Sequence, residues 1–372
     1  MNHELYIGIM SGTSVDGIDA VVLQITDSQF SVLASLSHAF TPTIKQKILE
    51  LFEPSYNEID RLGELDKQLG LLYAQCVNQL LVKAKLKAAD ITAIGCHGQT
   101  LRHRPNNPHP FTLQIGDASV LANTTHIDVV SDFRKADIAL GGQGAPLTPA
   151  FHHAAFHANG HERFIINIGG IANITHLSSQ HAITGWDTGP GNGLMDYWIN
   201  KHRQKPYDHA GQWASSGQVN RPLLDQLLGH PYFEKQPPKS TGKEEFTHSS
   251  LERLAHSHYP SIKPVDVQAT LLELTARTIA TDINHVSRSP SAEAFVCGGG
   301  AFNIQLINRL KQLSRPTVYT IDTLGFNPMH IEAAAFAWLA HQFTRRQTGN
   351  LPSVTGASKP AILGALTYHG QY

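Results

Sequence analysis

Residues 10–17, MSGTSVDG, form a short segment rich in glycine and hydroxyl side chains between two apolar stretches. Gly12 and Gly17 allow the backbone to approach a ligand closely, and successive N–H groups of such a turn can bind an anion. This composition suits a triphosphate, toward which Asp16 would act through Mg²⁺, a cation that prefers carboxylate and water oxygens. An ordinary hairpin loop has the same residue types, so this segment alone leaves both interpretations open.

Two further glycine clusters occur later in the chain, NIGGIAN (167–173) and the triplet 298–300. The first repeats the strand–turn–strand pattern and could meet the same phosphates from the opposite side. The second stands between a predicted strand and a predicted helix, where open backbone could lie beside a base and ribose. Familiar nucleotide motifs do not fit, because no GxGxxG opens a helix after the first strand and KSTGK (239–243) lacks the order of a P-loop.

One carboxylate, Asp187, follows a predicted strand in the segment WDTGPGN (186–192). Phosphoryl transfer to a hydroxyl needs a carboxylate that accepts a proton or orients the attacking group, so Asp187 is the best general-base candidate. The alternative is an Asx turn or a helix N-cap, because Thr188 and Gly189 follow. Two other polar residues also have structural explanations: His97 could belong to a loop, and Arg134 could pair with Asp132.

Apolar patterns predict the elements that must position these residues. Alternation predicts strands over 5–9, 18–25, 30–36, 91–96, 111–115, 127–131, 164–168, 173–177, 183–186, 294–297 and 318–321. Periods of three to four predict helices over 44–52, 59–82, 117–123 with Asp117 as its cap, 223–228, 270–286, 302–313 and 329–341. The strand–turn–strand opening occurs twice, which indicates two related α/β lobes.

Composition limits the class of partner. A chain of 372 residues is too long for one ordinary core, and Lys plus Arg (29) nearly cancel Asp plus Glu (30). No basic surface for nucleic acid is therefore expected, and the partner should be a small molecule. Cys76, Cys96 and Cys297 are scattered and odd in number, which fits reduced thiols in a cytoplasm better than disulfides. No signal-like N-terminus and no run of roughly 18 apolar residues is present, so neither export nor membrane insertion is expected.

Histidine is plentiful, with 22 residues, and His153 and His157 stand four apart in a predicted helix. That spacing could place two imidazoles on one face and bind a metal. No HExxH, nearby carboxylate or cysteine partner accompanies the pair, so surface histidines are the preferred interpretation and no zinc site is predicted.

Eight blocks, in order along nearly the whole chain, resemble the anhydro-N-acetylmuramic acid kinases. They are IGIMSGTSVDGIDA (7–20), CHGQT (96–100), SDFRKADIALGGQGAPL (131–147), NIGGIAN (167–173), WDTGPGN (186–192), PPKSTGKEEF (237–246), CGGGAFN (297–303) and HIEAAAFAWLA (330–340). The resemblance implies the α/β, two-lobed actin-like ATPase (ribonuclease H-like) fold, in which each lobe is a mixed sheet with flanking helices and a cleft lies between the lobes. It also implies ATP with Mg²⁺, a homodimer, and conversion of 1,6-anhydro-N-acetylmuramic acid to N-acetylmuramic acid 6-phosphate in peptidoglycan recycling.

The same resemblance implies roles for individual residues. The aspartate matching Asp187 would activate a water that attacks the anomeric carbon, while the departing O6 takes the γ-phosphoryl group of ATP. Sugar contacts are expected from Arg134, Glu332, His97 and Asn192, although Glu332 is equally explained as a structural contact that crosses the lobes. Nucleotide contacts are expected from Gly12, Thr13, Ser14, Val15, Asp16, Gly17, Ile18, Asp19, Gly169, Gly170, Gly299 and Gly300, with Asp16 also the candidate Mg²⁺ ligand. Residues 1–132 with 345–372 are assigned to the N-terminal lobe, and 133–344 to the C-terminal lobe.

Two other functions remain open. A different amino-sugar kinase with the same lobes would use Asp187 to deprotonate a sugar hydroxyl, and no water would be consumed. A non-enzymatic ATP switch, like actin or a chaperone ATPase, would work through partner contacts. The lack of a peptide-binding region or charged tail after the second lobe disfavours a chaperone.

Overall fold

The computed structural model describes residues 3–26, 29–178, 181–237, 239–242, 245–255 and 261–370. The strands in these ranges are β1 (Glu4–Ser11), β2 (Gly17–Ile25), β3 (Phe30–Ala39), β4 (Ala93–Arg104), β5 (Phe111–Ile115), β6 (Val129–Ser131), β7 (Arg163–Ile168), β8 (Ile171–Leu177), β9 (Thr184–Pro190), β10 (Glu293–Cys297), β11 (Thr317–Thr320) and β12 (Ala365–Thr367). The α-helices are α1 (Pro42–Glu50), α2 (Glu58–Ala84), α3 (Ala118–Thr125), α4 (Lys135–Ala139), α5 (Thr148–Phe156), α6 (Gly193–Arg203), α7 (Gln212–Ser215), α8 (Arg221–Leu228), α9 (His248–Arg253), α10 (Pro264–Val286), α11 (Ile304–Leu313), α12 (Ile331–Thr344) and α13 (Pro352–Thr355). Of the helices described, none is long and apolar enough to cross a membrane.

The chain divides into two compact units. The first comprises the described residues up to Ala155 and from His330 onward, and the second comprises Phe156–Met329. The sequence-based division differs from this one, because it assigned residues 133–155 and 330–344 to the second lobe. The helix α12 accounts for the second of these segments, since it packs in the first unit.

The first unit is built on a sheet with the strand order β12-β6-β4-β1-β2-β3, with β5 paired to β4. The first three strands form an antiparallel meander, and β4 lies parallel to β1 on its other side. Ile7 and Ile9 on β1 pack with Leu69 and Tyr73 of α2 in the buried core. Successive strand residues point to opposite faces, so Gly8 faces away from α2.

Close packing of α12 on that opposite face depends on two glycines. A Cβ atom at Gly8 would lie 1.8 Å from the Ala333 carbonyl oxygen, and one at Gly95 would lie 2.0 Å from that of Phe336. The alanine-rich sequence of α12 allows its backbone to approach the strands to this distance. This contact fixes the start of α12, which carries Glu332, on the first sheet.

The second unit repeats the order of five of these strands, β6-β4-β1-β2-β3. Its sheet has the strand order β11-β10-β7-β8-β9. Strand β7 pairs antiparallel with β8, β8 pairs antiparallel with β9, and β10 lies parallel to β7. In both units a meander of three strands is extended on the side of its first strand by parallel strands. This is the strand order of the ribonuclease H-like fold of actin-like ATPases, so the predicted fold class is confirmed.

Several predicted elements have different bounds in the structure. The strand predicted over 183–186 continues to Pro190, so Asp187 lies within β9 rather than after it. The helix that follows begins at Gly193. His157 lies beyond the end of α5, so the prediction that it shares a helix with His153 is wrong.

Candidate active site

The turn between β1 and β2 is held from inside the first unit. The Ser11 hydroxyl donates to the Gln99 side-chain oxygen at 2.6 Å, and the Gln99 amide donates to the Gly12 carbonyl at 3.3 Å. Val15 is fully buried although its φ is +56°, and its N–H donates to the Gly12 carbonyl at 3.1 Å. Thr13 and Ser14 are exposed at the turn, where a ligand could reach them.

The predicted nucleotide-binding glycines are of two kinds, those where an added Cβ atom would meet open space and those where it would clash with neighbouring atoms. A Cβ atom at Gly12 or Gly169 would meet no atom closer than 3.6 Å, and one at Gly170 would meet nothing within 4 Å. None of these three has the left-handed φ that favours glycine. Neither packing nor backbone conformation in these turns therefore requires glycine, whereas close approach of a ligand would.

Gly17 and Gly300 have structural reasons to be glycine. A Cβ atom at Gly17 would lie 2.4 Å from the His38 carbonyl oxygen, and one at Gly300 would lie 2.4 Å from the Ile168 side chain. A Cβ at Gly299 would stand 3.4 Å from the Asn192 amide nitrogen, which is an ordinary contact. Of the two candidates in this cluster, Gly299 is therefore the one whose surface is open.

Asp16 is the predicted Mg²⁺ ligand, and its side chain is 74% exposed. Its Oδ1 atom accepts a hydrogen bond from the Lys45 ammonium at 2.9 Å. The second oxygen remains available, which fits a single-carboxylate contact to a Mg²⁺ that keeps water and phosphate oxygens as its other ligands. Among the described residues no cluster of three or more His, Cys, Asp or Glu side chains could hold a metal by itself.

His97 and Arg134 contact each other in the first unit. The Arg134 guanidinium donates from Nε and Nη2 to His97 Nε2 at 3.1 and 2.8 Å, and from Nη1 to the Gly144 carbonyl at 2.7 Å. Burial lowers the pKa of Arg134 to about 10, while the charges of Glu332 and Asp137 oppose the shift. The predicted pairing of Arg134 with Asp132 is wrong, because Asp132 instead pairs with Lys135 at 2.8 Å.

Glu332 lies at the start of α12, half-buried, with the Arg134 charge nearby. Burial raises the pKa of Glu332, the Arg134 charge opposes that rise, and the Asp19 charge adds to it. Asp19, on β2, accepts a hydrogen bond from the Ser37 hydroxyl at 2.5 Å, and burial raises its pKa also. The first unit therefore brings together two acids and one cation, a set that can grip the polar groups of a sugar.

Asp187 lies in β9 at a bulge in its pairing with β8. Ala172 pairs with Gly189 and Asn173 pairs with Asp187, so one extra residue, Thr188, is accommodated on β9. Such bulges change the direction of neighbouring side chains. The Oδ2 atom of Asp187 accepts a hydrogen bond from the Thr241 N–H at 2.9 Å, and its carbonyl accepts one from the Tyr232 hydroxyl at 2.7 Å.

The environment of Asp187 suits a general base. Burial raises its pKa to about 6, and the hydrogen bond from the Thr241 N–H opposes the rise. A carboxylate with a pKa near the working pH is ionised at neutrality yet basic enough to accept a proton. The alternative of an N-cap is not what the structure has, because α6 begins six residues later with Asn192 at its cap position. An Asx turn would need a hydrogen bond from a residue just after Asp187, whereas the described bond to this carboxylate comes from the Thr241 N–H.

Asn192 supports the turn at Gly169 and Gly170. Its side-chain amide donates to the Ile168 carbonyl at 3.1 Å, and its N–H donates to the Gly169 carbonyl at 2.7 Å. The N–H groups of Gly191 and Gly193 both donate to the Gly170 carbonyl, at 2.9 and 3.1 Å. The segment after Asp187 therefore holds the second glycine turn in place.

A buried ion pair beside Asp187 was not predicted. The Lys239 ammonium lies 3.2 Å from Asp282 Oδ2, and the Trp186 indole N–H donates to the same carboxylate at 2.9 Å. Lys239 belongs to one of the resemblance blocks, but Asp282 lies on α10 in a segment that carried no motif. Only the position of Lys239 within the block PPKSTGKEEF could have indicated it.

The family model and the similar proteins that match this chain carry the same family name. The family model described as anhydro-N-acetylmuramic acid kinase matches residues 4–369. The chain is 50% identical over 372 residues to the anhydro-N-acetylmuramic acid kinase of Saccharophagus degradans, covering 98% of this chain and 99% of that protein. It is 48% identical over 367 residues to the enzyme of that name from Shewanella pealeana, covering 98% and 99%.

Solved structures give weaker likenesses. The activator of the 2-hydroxyisocaproyl-CoA dehydratase from Clostridium difficile is 13% identical with a TM-score of 0.47, covering 93% of this chain and 99% of that one. A ROK family glucokinase from Streptomyces griseus is 12% identical with a TM-score of 0.39, covering 91% and 99%. The fold assignment rests on the strand order of the two sheets, and the family match extends over nearly all of both units. The chain belongs to the anhydro-N-acetylmuramic acid kinase family.

Proposed function

We propose that the protein is an ATP-dependent kinase that opens the internal ring of 1,6-anhydro-N-acetylmuramic acid with water and phosphorylates O6. The products are N-acetylmuramic acid 6-phosphate and ADP, as in peptidoglycan recycling and amino-sugar catabolism. Family membership supports the reaction class. The observation that carries the mechanism is Asp187, a carboxylate with a pKa of about 6 that is aimed by a bulge and a backbone N–H.

In the proposed reaction Asp187 accepts a proton from a water molecule as the water oxygen bonds to the anomeric carbon. The bond between the anomeric carbon and O6 breaks, and O6 leaves with its electron pair. O6 then bonds to the γ-phosphorus of ATP, and the bond from that phosphorus to the β,γ-bridging oxygen breaks to release ADP. No base has to deprotonate O6, because it leaves carbon as an incipient alkoxide.

The nucleotide is assigned to the glycine turns. Of the predicted set from Gly12 to Asp19, the exposed Thr13 and Ser14 would bind phosphate oxygens through backbone N–H and hydroxyl groups, and Gly169 and Gly170 give a second open backbone surface. The open Cβ positions at Gly12, Gly169 and Gly170 support this role. Gly299 would lie beside the base and ribose, and Gly300 supports the turn by packing on Ile168.

Mg²⁺ would accompany ATP, with the free oxygen of Asp16 as its one contact to the first turn. The ion would neutralise phosphate charge during transfer. Binding of Mg²⁺ with ATP at Asp16 would compete with the ion pair between Asp16 and Lys45. That pair is exposed, and an exposed ion pair contributes little free energy in water.

Sugar recognition is assigned to the polar group in the first unit. Glu332 and Arg134 would contact hydroxyl and carboxylate groups of the substrate. His97 would hold Arg134 in place by accepting two hydrogen bonds from its guanidinium. Asn192 is better placed to position the second glycine turn than to touch the sugar, since its amide donates to Ile168. We also propose a homodimer, as the family resemblance implies, which multi-angle light scattering of the purified protein would test.

Whether water opens the anhydro ring can be decided by tracing oxygen from the solvent into the product. Turnover of ATP and the anhydro-sugar in ¹⁸O-labelled water should place one label at the anomeric hydroxyl of the product and none in its phosphate. Product incubated in the same water without enzyme controls for spontaneous exchange at the anomeric carbon. An unlabelled sugar would overturn the hydrolytic step and leave a kinase that deprotonates a hydroxyl.

Substrate comparison separates the remaining functions. ATP turnover should require the anhydro-sugar and should be much slower with N-acetylmuramic acid or N-acetylglucosamine. Rapid ADP formation that ignores added sugar would contradict the proposal and favour an ATP switch.

A further inference from the structure

We infer that the buried Lys239–Asp282 ion pair positions Asp187 for catalysis by fixing the backbone segment that holds its carboxylate. This inference rests on the proposed role of Asp187 as the base. Lys239 and Asp282 touch no reacting atom in this scheme, so both are positioning residues.

The first step is the contact between residues 239–241 and β9. The N–H of Asp187 donates to the Lys239 carbonyl at 3.0 Å, and the Thr241 N–H donates to Asp187 Oδ2 at 2.9 Å. One short segment therefore holds both the backbone and the carboxylate of the same residue. A shift of this segment would change the direction of the base.

The second step is what holds the segment. The Lys239 ammonium lies 3.2 and 3.3 Å from the two oxygens of Asp282, which stands on the long helix α10. The same carboxylate accepts the Trp186 indole N–H at 2.9 Å, and Trp186 immediately precedes Asp187. Asp282 thus connects α10 both to the 239–241 segment, through Lys239, and to β9, through Trp186.

The third step is the cost of this arrangement. The side chains of Lys239 and Asp282 are only 3% and 15% exposed, and removing two charges from water is expensive. Burial raises the pKa of Asp282, and the Lys239 charge opposes the rise. Apolar side chains would fill the same space without this cost, so the ion pair fits a requirement for orientation better than one for stability.

The ionisation of Asp187 depends on its burial and on the Thr241 N–H bond. Tyr232, from the 3-10 helix Pro231–Glu234, contacts the Asp187 carbonyl, and the other ionisable groups near that tyrosine are Lys239, Asp282 of α10 and Glu245. Loss of the Thr241 N–H bond would remove the hydrogen bond that favours the ionised form of Asp187. A displaced segment should therefore slow turnover and also move the pH at which the base becomes protonated.

The test compares Lys239→Met and Asp282→Asn with the matched control Lys235→Met. Lys235 and Lys239 lie over the same Tyr232 ring, with ammonium-to-centroid distances of 5.2 and 5.3 Å, but Lys235 is exposed and forms no ion pair among the described contacts. We expect K239M and D282N to lower kcat by about 10- to 100-fold with KM for ATP changed less than about threefold. The acidic limb of the kcat profile should move up by roughly half to one pH unit. K235M should match the wild type in both measurements.

Thermal unfolding of each variant guards against simple loss of structure. D282N is nearly isosteric and keeps an oxygen for the Trp186 N–H, so it remains informative if K239M fails to fold. Lys239→Arg retains the ion pair and should recover most of the lost kcat. Wild-type kcat with an unmoved acidic limb in folded K239M or D282N would overturn the inference.

Comparison with Asp187→Asn distinguishes a wrong positioning role for the ion pair from a wrong assignment of Asp187 as the base. If D187N loses turnover while D282N does not, the positioning role is wrong and the proposed base stands. If D187N retains wild-type turnover, the proposed function of Asp187 is wrong, whatever the ion pair does.

Discussion

The Nε2 atom of His97 accepts two hydrogen bonds from the Arg134 guanidinium, at 3.1 and 2.8 Å. The other ring nitrogen, Nδ1, lies 2.7 Å from the Gly98 carbonyl oxygen and must donate to it. His97 is therefore the neutral Nδ1–H tautomer, since a protonated Nε2 would point its hydrogen at the guanidinium. Burial, aided by the Arg134 charge, lowers the pKa of His97 well below its ordinary value.

This arrangement predicts a pH-dependent contribution to stability. Below about pH 6.5 the unfolded chain protonates His97 while the folded protein does not, so the contribution of His97 is lost as pH falls. The loss approaches about 1.4 kcal/mol per pH unit for one such group. Raised carboxyl pKa values, such as that of Asp187, act in the opposite sense between roughly pH 4 and 6. The informative quantity is therefore the difference between variant and wild type.

Replacement of His97 by Gln should make the free energy of unfolding fall less steeply between pH 7 and 5. Urea unfolding at each pH measures it, with the exposed His161→Gln as the control. Parallel curves for H97Q and the wild type would contradict the neutral buried state of His97.

Gly170→Ala tests the second glycine turn as a nucleotide site. The space around Gly170 is open, so the alanine variant should fold with a melting temperature near that of the wild type. Its methyl group would stand where phosphate is proposed to approach, so KM for ATP should rise by about tenfold or more. Gly63→Ala is the control, because Gly63 is equally open but lies on α2, where alanine should stabilise the helix by about 1 kcal/mol. Unchanged ATP affinity in G170A would count against this turn.

Asp187→Asn should retain ATP binding and lose at least about 100-fold in kcat, because the amide cannot accept the proton of water. In the wild type, kcat should fall as pH drops through about 6, since protonation of Asp187 removes the base. Asp225→Asn, at an exposed position on α8 of the same unit, controls for loss of a charge. Wild-type kcat in D187N would remove Asp187 from the mechanism, and so would a rate that stays constant down to pH 5.

The fold could be predicted because it follows from local patterns. Apolar alternation located β1 to β3 and β7 to β9, and the glycine turns between their first pairs marked the internal duplication. The bulge that aims Asp187 could not be predicted, because it depends on the register between two strands. The Lys239–Asp282 pair joins residues 43 apart, and its partner carries no motif. The expectation that the two glycine turns face one another stays a prediction.

Glu332→Gln decides between recognition of the sugar and a structural contact. The carboxylate is half-buried near Arg134, yet no hydrogen bond joins it to the described residues, which leaves it available to a ligand. The isosteric amide should raise KM for the anhydro-sugar by about tenfold while KM for ATP changes less than about twofold. The melting temperature should not fall, because burial disfavours the charge that the substitution removes. Glu64→Gln, exposed on α2, serves as the control. A large loss of thermal stability with an unchanged KM for the sugar would instead make Glu332 a structural residue.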